Sequence, residues 1–217
     1  MKSATIVALV AAATVTLAVP AAAEENRWIG RVRGLGVVPD YNSDEIGATG
    51  TRIKVGSTFG GELSVTYLLN PHWGLELSAA AMPLRLTTVG GEFPGLDAGK
   101  VDLVCGLLSL EYHFETTGRI KPYLGVGMAL ARPVGYALSA DMQASSITDL
   151  TFTSSLRMHT QLGADLQIGD GWRLNLDLRY VPVTTRVDFR LAGGGSLDTI
   201  ALDVNPIIAA IGIGRSF

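Results

Sequence analysis

From Ser155 to Tyr180 the sequence alternates between apolar and polar residues almost without interruption. In SLRMHTQLGADLQIG, Leu156, Met158, Thr160, Leu162, Ala164, Leu166 and Ile168 share one phase, and Arg157, His159, Gln161, Gly163, Asp165 and Gln167 share the other. In WRLNLDLRYVP, Trp172, Leu174, Leu176, Leu178 and Tyr180 oppose Arg173, Asn175, Asp177 and Arg179. A two-residue period belongs to β-strands. These are two adjacent strands, each with one apolar face and one face carrying full charges. Two settings produce that pattern: a soluble sandwich with its charges in water, or a membrane barrel with its charges in the lumen.

Strand and connection lengths separate the two settings. Trp172 to Tyr180 is eight steps, about 26 Å at ~3.3 Å per residue. Tilted near ~40°, it covers roughly 20 Å of height, close to the ~25 Å apolar band of an outer-membrane barrel. Sandwich strands more often run to about five or six residues. The connections alternate in size. NPH (70–72), ETTGR (115–119) and GDG (169–171) are tight, whereas the stretches 39–57, 83–100, 132–150 and 184–198 are long and polar or Gly-rich. Three short turns alternating with four long loops predict eight antiparallel strands with every long loop at one end. The expected strands are 26–38, 57–69, 72–82, 102–114, 120–131, 154–168, 172–189 and 198–217. The fold class expected is all-β: an eight-stranded antiparallel transmembrane barrel with short periplasmic turns and long extracellular loops.

The first residues supply the address. MKSATIVALVAAATVTLAVPAAA places Lys2 before an apolar run from Ala4 to Val19, followed by Pro20 and three alanines. This is the pattern of a cleaved secretory signal peptide. The expected division is a leader at 1–23 and a barrel at 24–217. No later segment offers an apolar run of about eighteen residues, the length a transmembrane helix would need. With 217 residues the chain suits one domain, and a net charge of −3 offers no basic footprint for nucleic acid. The single cysteine, Cys105, cannot form an internal disulfide and reads as a small hydrophobe.

Aromatic residues gather where a bilayer would place them. With the tight turns on the periplasmic side, Trp28, Trp73, Phe114, Tyr123, Trp172 and Phe217 all fall near that rim. Counting back by twos from Phe217, the residues Arg215, Ile213, Ile211, Ala209 and Ile207 form the expected lipid face of the last strand. That strand is expected to close the barrel against the first near Trp28. Arg215 is the odd member of the row, and its long side chain can snorkel to headgroups.

The strings NPHWGLELSAAAMP, LEYHF, KPYLGVGMALARP and DVNPIIAAIGIGRSF resemble the outer membrane protein W (OmpW/AlkL) family along essentially the whole mature chain. The resemblance implies an eight-stranded barrel of the Gram-negative outer membrane. Its narrow bore would admit small apolar molecules from outside and release them sideways into the membrane. It also implies that the outer-membrane assembly machinery reads the closing aromatic strand.

The residues themselves carry that expectation further. Glu62, Glu76, Glu111, His113, Arg157, His159, Gln161, Asp165, Arg173, Asn175, Asp177 and Arg179 are the expected lumen residues. An eight-stranded barrel is barely wider than its own side chains, so these charges are expected to form a salt-bridged plug rather than an aqueous pore. Met82, Leu84, Leu86, Val89, Phe93, Leu96 and Tyr136 are the expected ligand entrance, an apolar group on the loop side. The three histidines are too scattered for a metal site and lack a serine and carboxylate arranged as a triad. The GVG and GGG stretches precede no helix that would cradle phosphate. Neither catalysis nor a cofactor is expected. The favoured reading is a passive channel for small hydrophobic molecules. The alternatives are a structural barrel displaying its loops and, less suited to the charged strand faces, a soluble ligand-binding calyx.

Overall fold

Asn70 opens the first tight turn by accepting, through Oδ1, the backbone N–H groups of His72 and Trp73, each at 2.9 Å. The third tight turn runs through Gly169, Asp170 and Gly171, all at positive φ (123°, 47° and 78°), a conformation that favours glycine. Such turns reverse the chain in two or three residues, so the strands they join must be antiparallel neighbours.

The computed structural model describes residues 27–46, 49–137, 139–140, 147–152, 154–191 and 196–217. The expected leader and its cleavage point lie outside the described residues. The strands are β1 (Trp28–Val38), β2 (Tyr41–Ser43), β3 (Arg52–Val55), β4 (Thr58–Leu68), β5 (Trp73–Val89), β6 (Asp97–His113), β7 (Ile120–Ala137), β8 (Ile147–Phe152), β9 (Ser155–Gly169), β10 (Trp172–Tyr180), β11 (Val183–Leu191), β12 (Ser196–Val204) and β13 (Ile207–Ser216). Eight of them pair in the order β5-β4-β1-β13-β10-β9-β7-β6, and the β5–β6 ladder closes the ring. The first and last barrel strands meet along Ile29↔Ser216 to Val38↔Ile207. Trp28 and Phe217 extend that seam by exchanging both backbone hydrogen bonds, at 3.1 and 2.9 Å.

A second sheet, β2-β12-β11-β8, stands on the loop side and continues the wall β1-β13-β10-β9 in the same order. This corrects two expected strands. The segment 172–189 breaks after Tyr180 into β10 and β11, and 198–217 breaks at Asn205 and Pro206 into β12 and β13. Pro182 and Pro206 have no N–H to give a ladder, so the wall bends there. Conversely, β5, β6 and β7 extend beyond the expected 72–82, 102–114 and 120–131. The expected loop 83–100 is therefore mostly one long hairpin.

Outside, Leu162, Leu174, Leu176, Ile211 and their in-phase neighbours are exposed, forming the apolar belt that meets lipid. Inside, small residues leave space for large polar ones. Gly125 and Gly127 on β7 face Gln161 and His159, and Gly212 and Gly214 on β13 face Arg33 and Arg31. The glycines of GVG and GIG thus open room in the bore.

Candidate functional site

The lower bore is filled by one network. Arg31 on β1 forks onto Asp165 at 3.2 and 2.7 Å and reaches Thr66 at 2.7 Å and Glu76 at 3.1 Å. Two residues on, Arg33 donates to Asn175 at 2.7 Å, Glu62 at 2.6 Å and Glu76 at 2.9 Å. Arg179 grips Glu62 through both terminal nitrogens, meets Glu76 at 3.2 Å and sets its Nε 2.7 Å from Asp177. The Tyr123 hydroxyl donates to Asp177 at 2.7 Å and accepts from Asn175 at 3.1 Å. A second branch links His113 to Glu111 at 3.0 Å, Gln161 to Glu111 at 2.7 Å, and Ser109 to His159 at 2.9 Å. Arg173 completes the periplasmic side at 3.1 Å from Asp165. Four arginines thus pair with four carboxylates, Glu62, Glu76, Asp165 and Asp177, while Glu111 is held by Gln161 and His113. Partners of opposite charge or hydrogen-bonding side chains offset each charge, as groups removed from water require.

Above this plug the lumen turns apolar within one turn of residues. The floor of the upper chamber is the Glu62–Arg179 pair, and its walls include Leu35, Val37, Ala80, Met82, Leu103 and Leu107. The chamber is open in part to the outside. Its roof is a packed cluster in which Ile53, Val55, Leu86 and Val101 from the long hairpin side meet Val187, Ile200 and Leu202 of the second sheet. Cys105 also lines the wall.

One stretch of that wall lacks main-chain pairing among the described residues. The β9–β10 ladder stops at Tyr180↔Thr160, and the β8–β11 ladder takes over only at Val187↔Phe152. Between them Ser154–His159 runs beside Val181–Arg186 without a ladder. The chamber reaches both edges, since Ser155, Val181, Val183 and Thr185 line it.

A charged plug inside a closed eight-stranded ring, belted by apolar residues and rimmed by tryptophans, is an outer-membrane architecture. The OmpW family's sequence profile matches residues 25–217, the whole barrel. The chain belongs to the OmpW family. Among relatives, it is 27% identical to the dibenzothiophene metabolism operon protein PahQ of Pseudomonas aeruginosa over 93% of both chains. It is 24% identical to outer membrane protein W of Vibrio cholerae, over 98% of this chain and 99% of that one. Its fold is that of OprG from Pseudomonas aeruginosa, with a TM-score of 0.79 at 22% identity over 89% of this chain and 96% of the other. This OmpW-family member is therefore a protein of the Gram-negative outer membrane.

Of the expected lumen residues, the structure brings Glu62, Glu76, Glu111, His113, His159, Gln161, Asp165, Arg173, Asn175, Asp177 and Arg179 into the plug. Arg157 stands apart from it, exposed at the unpaired stretch of wall. Tyr123 is a correction: expected at the rim, it is fully buried in the lumen at the centre of the network. Alternation with the exposed Leu124 carried that signal. Arg31 and Arg33 are further plug residues, outside the expected set. On β1 the outward phase is Gly30, Val32, Gly34 and Gly36, so the alternation is one of size rather than polarity.

Among the expected entrance residues, Met82, Leu84 and Leu86 line the chamber, and Tyr136 packs against its roof. Val89, Phe93 and Leu96 do not line it: they lie at the tip of the β5–β6 hairpin, where Phe93 is exposed. The hairpin is longer than expected, and this carries its tip beyond the chamber. At the other end Trp28, Trp73 and Trp172 are exposed on the outer surface. Trp28 packs on Tyr67 with ring centroids 4.7 Å apart, and the Arg215 guanidinium lies 5.4 Å from the Trp172 ring centre.

Proposed function

We propose that this barrel is a passive, non-enzymatic conduit for small hydrophobic molecules, which occupy the apolar chamber and pass sideways into the membrane through the wall. The observation that carries the reading is the sharp division of the lumen, a nearly uniform apolar chamber resting on a salt-bridged floor. An apolar solute gains by entering such a chamber, and the plug below opposes its onward path to the periplasm. The unpaired stretch between β9 and β11 gives that chamber an edge facing lipid. A relative whose name places it in a dibenzothiophene metabolism operon is consistent with an apolar cargo. The assembly machinery that reads a closing aromatic strand belongs to the same reading.

The test is uptake of radiolabelled n-octane by cells that lack and cells that carry the protein, with ionic conductance measured in parallel. Faster octane entry without a stable aqueous conductance is expected. Equal entry in the two strains would remove the channel reading. The packed roof of Ile53, Leu86, Val187 and Leu202 favours one alternative, a non-transporting barrel that displays its loops. In that case trimming the loop tips would alter contact with a host or partner and leave uptake untouched.

A further inference from the structure

The two unpaired edges of the wall have an unusual composition. Ser154–His159 and Val181–Arg186 contain two arginines, Arg157 and Arg186, and no carboxylate. Both arginines are exposed, and neither guanidinium makes a hydrogen bond or ion pair among the described residues. Arg157 is in phase with the inward-facing Ser155 and His159 and lies between the lipid-facing Leu156 and Met158. Every arginine of the plug, by contrast, is matched to carboxylates.

Ser155 adds a second, independent sign. It is 94% buried (6% exposed), it lines the chamber, and its Oγ has no hydrogen-bond partner. A buried hydroxyl left unmatched is costly, and one that lines the chamber is open to a ligand's acceptor. Ser155 and Arg157 are two residues apart on one strand, about 7 Å along it. One ligand group of ordinary size can therefore reach both. A guanidinium and a hydroxyl together match a carboxylate, the guanidinium through charge-assisted hydrogen bonds.

We infer that the unpaired edge at Ser155 and Arg157 is a subsite for the anionic head of an amphiphile, a medium-chain monocarboxylate whose tail lies in the apolar chamber. The inference rests on the conduit reading and narrows its substrate class: the preferred cargo has an apolar body with one carboxylate head. An anionic lipid headgroup shares the head chemistry, but its acyl chains would remain in the bilayer and leave the chamber and Ser155 unused.

The test uses the full barrel in lipid nanodiscs, with empty discs as reference, and equilibrium dialysis of radiolabelled decanoate and of decane. Wild-type protein is expected to retain both ligands above the empty discs. Arg157→Gln should weaken decanoate retention about tenfold, the equivalent of one charge-assisted hydrogen bond, and leave decane unchanged. Ser155→Ala should move decanoate in the same direction by a smaller factor. Neither residue belongs to the plug, and unchanged heat-modifiable gel mobility reports a folded barrel. Decanoate held equally by Arg157→Gln, decane lost in parallel, or decane bound with decanoate excluded each overturns the inference while leaving the conduit reading intact. Retention of neither ligand by the wild type overturns both. Loss of bound phosphatidylglycerol in Arg157→Gln with decanoate retained would assign the edge to lipid headgroups instead and overturn the inference.

Discussion

Arg179 and Glu62 meet through both terminal guanidinium nitrogens at the level where the lumen changes from charged to apolar. The pair belongs to two structures at once: it is the top of the plug and the floor of the chamber. Glu62 also accepts from Arg33 at 2.6 Å, so one carboxylate serves two arginines. Replacing it with alanine would leave two buried guanidinium groups short of a partner. Breaking a buried pair on one side costs about 3–5 kcal/mol. Glu62→Ala is therefore expected to lower the urea midpoint of the refolded barrel markedly. Arg33→Met together with Glu62→Met, which removes both charges, should recover part of the loss. A single Glu62→Ala with an unchanged midpoint would show that the plug contributes no such constraint.

A second prediction concerns space rather than charge. A Cβ at Gly163 would lie 2.3 Å from Cζ of Tyr123 and 2.8 Å from the Leu176 carbonyl oxygen. The strand cannot yield on the carbonyl side without losing its ladder, so the ring must move. Gly163→Ala is then expected to break the Tyr123–Asp177 hydrogen bond and destabilise the barrel by about 1–3 kcal/mol. Tyr123→Phe, which removes only the hydroxyl, should cost less. The comparison is read from denaturant midpoints of the two variants, and a Gly163→Ala variant as stable as wild type would contradict the packing described.

How much of this was legible in the sequence depends on which residues carried the alternation. On β9 and β10 leucines oppose charges, so both faces could be read directly and the plug residues of those strands found by counting. On β1 the outward phase is largely glycine, and Arg31 and Arg33 passed unnoticed although they are the most connected cations of the lumen. Tyr123 was misplaced because an aromatic near a tight turn fits a rim, whereas its phase relative to Leu124 fixes it inside. The bend into the second sheet was signalled locally by Pro182 and Pro206. The apolar roof was not, because it is assembled from β3, β5, β6, β11 and β12, segments far apart in sequence whose register no local pattern records.

The chamber can be tested by filling it. Leu103 is half-buried, lines the wall and lies outside the plug. Leu103→Trp would place an indole where cargo is proposed to sit. Octane uptake is expected to fall several-fold, with no change in heat-modifiable mobility. Uptake at the wild-type rate in a correctly folded Leu103→Trp barrel would show that cargo does not use this space.

The closing seam makes the last prediction. Phe217 exchanges two backbone hydrogen bonds with Trp28, and its ring packs beside Gly30, where a Cβ would sit 3.6 Å from ring carbon Cε1. These contributions are separable, because Phe217→Ala removes the ring and keeps both backbone bonds. Loss of a partly buried aromatic ring at the rim costs at most about 1–2 kcal/mol, so the purified variant should refold in detergent with a slightly lowered midpoint. If the ring is also read during insertion, the assembled fraction in cells should fall far more than that energy accounts for. Gly30→Ala supplies the control, since it alters the same contact without touching the ring. Pulse-labelled cells fractionated for the heat-modifiable form measure the difference. Equal modest losses for Phe217→Ala in vitro and in cells would confine Phe217 to closing the barrel.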